Sequence, residues 1–276
     1  MCVSVLILTL NEEVNLPACL ESVSWSDDVV VLDSFSTDRT AEIAAAAGAR
    51  VVQRKFDDWS SHQNWAVRNI DFRHPWVYYS DADERVTPKL AREVQSIAAD
   101  GQRQEVAYRV RFTNMFMGRE IRHASLYPTW VLRFFRPEKV RWERLVNPVA
   151  VVDGPQGRLQ AHFEHYSFNK GLAQWFAKHN LYSSDEAREL IRTIDRPIRW
   201  RGVLSGDPCE RRAVMKSLAY RLPLRPVLVF CYLYFLRLGL LDGLPGLTYC
   251  HLRAMFEYMV DLKVKEFKRK GKGLAM

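Results

Sequence analysis

The stretch Trp76-Val-Tyr-Tyr-Ser-Asp81-Ala-Asp83-Glu84-Arg-Val-Thr-Pro88 passes within thirteen residues from an apolar run to a carboxylate cluster and then to a helix start. Residues 76–79 are aromatic and β-branched, as suits a buried strand. Thr87 followed by Pro88 is an N-cap with proline at the first helical position. The carboxylates are therefore expected at the C-terminal end of a strand, which in an open parallel sheet is the edge where ligands bind. Asp81 and Asp83, on either side of the small Ala82, are placed to share one hard divalent cation, Mg²⁺ or Mn²⁺, whose shell phosphate oxygens would complete. Asp-x-Asp alone is weak, since a solvated turn carries it as readily. Its weight comes from the strand before it and the capped helix after it.

The same arrangement recurs upstream. Residues 3–10 form a short aliphatic run that ends at Asn11-Glu12-Glu13. A helix follows, with Leu16, Leu20 and Val23 on one face and Pro17 in its first turn. Residues 29–32 form the next strand, closed by Asp33-Ser-Phe-Ser-Thr-Asp38, before an alanine-rich helix that ends at Gly48. Residues 50–53 read as a third strand and residues 61–70 as a helix. This alternation predicts an α/β fold, a mostly parallel sheet with helices on both faces. Asn11-Glu12, Asp33 with Asp38, and Asp81-Ala-Asp83 would then line one edge and offer acceptors to ribose hydroxyls, a base edge and a metal. No G-x-G-x-x-G and no P-loop is present, so a nucleotide would be held by carboxylates and a metal instead of a glycine turn.

The chain has 276 residues, 48% of them hydrophobic and 26% charged, which is ample for a real core. Its net charge of +8 suggests a polyanionic partner: nucleic acid, anionic lipid or a phosphorylated substrate. No zinc-finger, RRM or helix-turn-helix signature supports nucleic acid. The five scattered cysteines imply neither a disulfide framework nor a zinc cluster and fit a reducing compartment, and the N-terminus does not resemble a signal peptide.

Beyond residue 100 the pattern changes. Residues 107–112 alternate as a strand with one wet face, and residues 130–135 and 149–152 continue a smaller mixed region. His162 and His165 have a ligand-like spacing but no Cys or Glu placed to help, so core or surface histidines are the expectation. Residues 171–191 predict a helix. Residues 226–236, PVLVFCYLYFL, are uncharged, and apolar character resumes after Arg237 up to residue 241. The run is too short to span a bilayer, for which about twenty residues are needed. With Arg221 and Arg225 before it and a basic tail after it, it predicts peripheral attachment to an anionic cytoplasmic leaflet, the competing reading being a buried helix.

Taken together, these segments resemble a family 2 glycosyltransferase of the GT-A fold. The matching residues are Thr9-Leu-Asn11-Glu12, Asp33-Ser-Phe-Ser36-Thr-Asp38, Gln63-Asn64 and Asp81-Ala-Asp83-Glu84. Trp130-Val-Leu-Arg133-Phe-Phe-Arg136, Gly157-Arg-Leu with His165-Tyr-Ser, and Leu241-Asp-Gly with Gly246 resemble the subgroup of lipopolysaccharide-core β-glucosyltransferases. The resemblance implies that Thr9, Asn11, Glu12, Asp33, Ser36, Asp38, Gln63 and Asn64 belong to the donor site, and that Asp83, with Asp81, carries the metal. Arg133 and Arg136 are then expected diphosphate clamps. It also implies a transferase domain over residues 1–168, with a nucleotide-sugar half to about 100 and an acceptor half after it, and a helical region over 169–276.

The expected activity is inverting transfer from a nucleoside diphosphate sugar, a UDP-sugar, to a hydroxyl of a lipid-linked, lipopolysaccharide or exopolysaccharide-type acceptor. A nucleotidyltransferase would also use a carboxylate-bound metal but wants a glycine-rich phosphate loop. One departure stands out. Where the subgroup carries a His-Glu pair, this chain has Asn147-Pro148. Proline is no base, so that role falls to Glu143 or Asp153, or the chain is a binding relative without turnover.

Overall fold

The computed structural model describes residues 3–125, 127–143, 149–193, 214, 218, 221–222 and 224–275. Asn147 and Pro148 lie outside them. Contacts divide the chain into two units, one of residues Met1–Glu120 with Tyr127–Lys170, the other of Ile121–Leu126 with Gly171–Met276.

The first unit is built on a nine-stranded sheet. Strands β1 (Val3–Thr9), β2 (Val29–Asp33), β3 (Arg50–Gln53) and β4 (Trp76–Asp81) are its parallel half, in the order β3-β2-β1-β4. Every residue of β1 is buried, which accounts for its unbroken aliphatic run at the centre of the sheet. Alternation along β4 sends Trp76 and Tyr78 to one face and Val77 and Tyr79 to the other. The first face packs on α1 (Leu16–Ser22), α2 (Thr40–Ala46) and α4 (Pro88–Ala99). The second packs on α3 (Trp59–Asn69). Helices therefore cover both faces of a mostly parallel sheet, as expected.

The mixed half continues from β4 through β8 (Thr129–Phe135), β6 (Ala107–Phe116) and β11 (Gln156–His165) to β5 (Glu84–Val86), with β7 (Arg119–Ile121) on β6. β8 is antiparallel to both β4 and β6, and β11 is parallel to β6 and antiparallel to β5. The three-residue β5 is absent from the sequence reading, which runs the carboxylate turn directly into α4. Thr87 caps α4 by accepting from Leu90 N, and Pro88 opens it, as expected.

A hairpin of β9 (Val140–Glu143) and β10 (Val149–Val152) packs on the α3 face through Trp142. Asn64 on α3 clamps it, its Nδ2 donating to Trp142 O at 2.7 Å and its Oδ1 accepting from Trp142 N at 2.8 Å. Asn64→Ala is expected to cost about 1–3 kcal/mol by stranding two half-buried main-chain groups, a loss readable in urea unfolding.

The second unit contains α5 (Gly171–Thr193), α6 (Arg225–Cys231) and α7 (Gly243–Lys270). Ala187 and Leu190 of α5 pack against Phe256, Val260 and Val264 of α7. A π turn, Tyr232–Leu236, and a 3-10 turn, Gly239–Asp242, join α6 to α7.

Candidate functional site

Strand register places the polar clusters side by side. Thr9 pairs with Asp33 across β1 and β2, Leu8 with Asp81 across β1 and β4, and Asp33 with Gln53 across β2 and β3. All are strand C-termini, so the edge forms where side-chain alternation gives way to loops.

On the β1–β2 side the donor-site residues knit two loops together. Asp33 is fully buried and accepts from Thr9 Oγ1 at 3.0 Å, Ser36 N at 2.9 Å and Gln53 Nε2 at 3.3 Å, as well as from the Ser36 hydroxyl. Asn11, at φ 54°, donates its N–H to Ser36 Oγ and accepts from Thr37 N. Asp38 accepts from the Thr40 hydroxyl and from Glu13 N and Thr40 N. Burial opposes its charge, but these donors outweigh it and hold its carboxyl below the ordinary range. Glu12 is clasped by Lys170 Nζ at 2.5 Å, and burial raises its pKa against that pull. Phe35, also left-handed at φ 60°, leaves its ring 53% exposed at this rim, where a flat partner can stack.

The β4 side carries a denser network. Gln63 Nε2 donates to Tyr79 Oη at 3.2 Å, and the Tyr79 hydroxyl donates to Asp81 Oδ1 at 2.8 Å. Arg133, on the neighbouring β8, donates to Asp81 Oδ2 and to Glu84 Oε1, each at 2.5 Å, with its guanidinium 4.4 Å from the Tyr79 ring centroid. Burial pushes Glu84 up to about 7 even beside this cation. Burial also opposes the charge on Arg133, but Asp81 and Glu84 prevail and keep it protonated. Arg133 is thus the internal counter-ion of two carboxylates, a different task from the expected diphosphate clamp. Both Asp81 oxygens, expected to share a cation, are engaged by protein donors.

Asp83 is placed otherwise. The pairing of β5 with β11 sets Glu84 opposite His165, and His165 Nε2 lies 3.3 Å from Asp83 Oδ2. The other ring nitrogen is 3.2 Å from Asn114 Oδ1, which fixes the ring and, when that nitrogen carries the proton, leaves Nε2 as a ligand lone pair. Burial opposes protonation of His165, but the Asp83 carboxylate wins and raises its pKa. His162, three residues earlier on the same strand, projects to the opposite face, so the two histidines do not act as a pair.

The remaining expected residues are spread out. Asn64 is committed to the Trp142 main chain. Arg136 stacks on Trp76, at 4.8 Å, where β4 begins. That is the opposite end of the strands from Asp81, because β8 runs antiparallel to β4, so the clamp expected of Arg136 is corrected. Asp153 is at that end too, with Lys139 Nζ at 3.3 Å and its N–H on Lys139 O. The hairpin runs back from there to Trp142, which stacks edge-on to Tyr79, and Glu143 follows it, 55% exposed and paired with Arg141 at 3.1 Å. His165, Glu84 and Lys170 received no role from the sequence reading. Glu84 stands in the Asp81-Ala-Asp83-Glu84 segment of the resemblance and His165 in His165-Tyr166-Ser167, whereas Lys170 lies in neither.

The donor set is tested against a divalent cation by its chemistry. Among the described residues no group of three His, Cys, Asp or Glu side chains is arranged to hold a metal. Asp83 and His165 nevertheless present one oxygen and one nitrogen ligand together, and a cation bridging protein and diphosphate takes few protein ligands.

Residues 4–162 match the model of the glycosyl transferase family 2 domain. The lipopolysaccharide core biosynthesis glycosyltransferase LpsC of Rhizobium meliloti is 25% identical, over 95% of this chain and 91% of that protein. An uncharacterized glycosyltransferase of Rickettsia typhi is 27% identical over 69% of this chain and 68% of its own length. The mannosyltransferase PcManGT of Pyrobaculum calidifontis, solved with GDP-Man and Mn²⁺, superimposes with TM-score 0.51 over 95% of this chain and 86% of that one, at 15% identity. That likeness is one of fold, and the fold is the expected GT-A type. Some other solved relatives are spanned over less than half their own length, 44% in one case.

Proposed function

The chain belongs to glycosyl transferase family 2, and from that premise we propose that it transfers a sugar, with inversion, from a UDP-sugar to a hydroxyl of a lipid-linked or lipopolysaccharide-type acceptor. The observation that carries this reading is the shared edge of β1, β2 and β4. It brings the Asp33 loop and the Asp83–His165 pair to one edge of the sheet with β1 between them, which supports a nucleoside at the first and its diphosphate at the second. The acceptor class rests on the similarity to LpsC over nearly the whole chain.

Asp83 and His165 would hold the divalent cation. Bound there, it would neutralise charge on the departing diphosphate. Asp81 acts through Arg133 and Tyr79, fixing the turn that aims Asp83. Asp33, through Ser36, shapes the loop that receives the nucleoside. These contacts are equal in ground and transition states, so Asp33→Asn is expected to raise KM for the donor while kcat changes little; a fall in kcat alone would reassign it to the chemical step.

Inversion requires a carboxylate to take the acceptor proton as its oxygen attacks the anomeric carbon. With Asp153 at the far end of the strands, the role is assigned to Glu143. Glu143→Gln should lower kcat by about 10²–10⁴-fold at constant donor KM. An unchanged kcat removes Glu143 from the mechanism. Asn147-Pro148, in place of His-Glu, favours a second reading of a binding relative without turnover. Donor binding with no product from any lipid-linked acceptor would select it.

Metal affinity should depend on pH with a definite sign. His165 must be neutral to bind a cation, and its raised pKa keeps it charged to a higher pH than an ordinary imidazole. Mn²⁺ titrated calorimetrically should bind weakly at about pH 6 and more tightly at about pH 8.5. In His165→Asn the steepness of that dependence should fall, whereas an unaltered profile would place the metal elsewhere.

A further inference from the structure

The second unit carries an arrangement the transferase reading does not use. Between Leu222 and Leu244 the chain turns its apolar side chains outward: Leu224 is 74% exposed, Leu236 76%, Leu241 62% and Leu244 68%. Its charges are turned inward. Asp242 accepts from three consecutive backbone amides, Arg122 N at 3.2 Å, His123 N at 2.9 Å and Ala124 N at 2.9 Å. Arg225, 3% exposed, pairs with Glu257 at 3.1 Å and Asp261 at 3.0 Å. Outward Leu and inward, satisfied charge is the reverse of a water-facing surface.

The segment is also locked in shape. No single described helix is long and apolar enough to cross a membrane, but the pair Arg225–Leu236 and Gly239–Lys270 passes that test jointly and is bent by 74°. Close packing holds the bend. A Cβ on Gly239 would come within 2.7 Å of Leu233 O, and one on Gly246 would collide with Gly239 O. Leu224 and Leu238 sit in the left-handed region at φ 55° and 59°, a conformation that leucine adopts only when its surroundings impose it.

We propose that this knuckle is a preformed wedge that inserts into one leaflet of a phospholipid bilayer and holds the protein at the membrane surface. Lipid is the occupant because the outward side chains are aliphatic and more than half exposed, and because the bent pair that carries them is long and apolar enough to enter a bilayer. The wedge revises the expected part of the basic tail. Lys268, Arg269 and Lys270 occupy the last turn of α7, about 40 Å along that helix from the wedge at 1.5 Å per residue. Lys263 is spent on Asn180 and Ser184 of α5. Attachment is therefore driven by apolar insertion, with salt as a minor lever.

The inference is independent of the reaction, and its test keeps the two apart. The full-length protein is floated with vesicles of phosphatidylcholine alone and of phosphatidylcholine with phosphatidylglycerol, at low and high salt. The wild type is expected with both vesicle types and to remain bound in high salt. Leu236→Glu combined with Leu241→Glu should lower partitioning by about tenfold or more, and Lys265→Glu combined with Lys268→Glu should leave it nearly unchanged. Circular dichroism and the melting temperature check that both variants fold, and donor binding in the wedge variant should equal that of the wild type. Failure of the wild type to float with either vesicle, or equal flotation of the wedge variant, overturns the proposal. So does a dimer by sedimentation equilibrium that the wedge substitutions dissolve, since a second copy would then be the occupant.

Discussion

Arg133→Met is expected to destabilise the first unit by about 3–5 kcal/mol above about pH 7, because there it strands the buried Glu84 carboxylate while filling the same volume. Arg133 and Glu84 have side chains only 11% and 3% exposed, so their pairing is little screened by water. The pH dependence separates lost charge from lost packing. Glu84's folded pKa of about 7 exceeds its ordinary 4.5, so its stabilising contribution is full below the lower value and is lost as pH rises through the higher. Without the guanidinium, burial acts unopposed and moves the folded pKa higher still. The variant's deficit should therefore be steady below about pH 7 and widen above it. A deficit flat across that range would mean that only packing over Tyr79 and Phe163 was lost. Urea unfolding of both proteins at several pH values provides the measurement.

Asp83→Ala should reduce sugar transfer about a thousandfold or more, equivalent to ~4 kcal/mol of lost transition-state stabilisation. Stability should change far less than in the arginine variant, since the Asp83 side chain is at the rim, 21% exposed, and is not wedged between buried charges. The contrast between the two substitutions distinguishes the chemical edge from its support. Near-normal metal-dependent turnover in Asp83→Ala would remove this carboxylate from the site.

What was legible in the sequence follows from the range of the contacts. Asp81, Asp83 and Asp33 end strands whose apolar runs are continuous and local, so their position at one edge follows from alternation of strand and helix. His165 could not be found that way. It meets Asp83 only because the three-residue β5 pairs antiparallel with β11, eighty residues on, and so short a strand has no pattern of its own. Arg133 and Arg136 look equivalent in sequence, yet β8 runs antiparallel to β4 and carries them to different ends, one against Asp81 and one against Trp76. Asn64 was placed with the donor-site residues from the resemblance, and its amide is committed to the Trp142 main chain. The apolar run after Pro226 was visible at once, but its bend depends on Gly239, Gly246 and the Asp242 amide nest, contacts that no periodicity encodes.

The most direct measurement for the central claim is the thermal unfolding midpoint of the wild type with UDP-sugars, in the presence and absence of Mn²⁺. Ligand that binds only the native state raises that midpoint. The expected result is a clear rise when nucleotide and metal are added together, little with either alone, and its disappearance in Asp83→Ala. A rise that is the same without metal, or that survives in Asp83→Ala, would contradict the account.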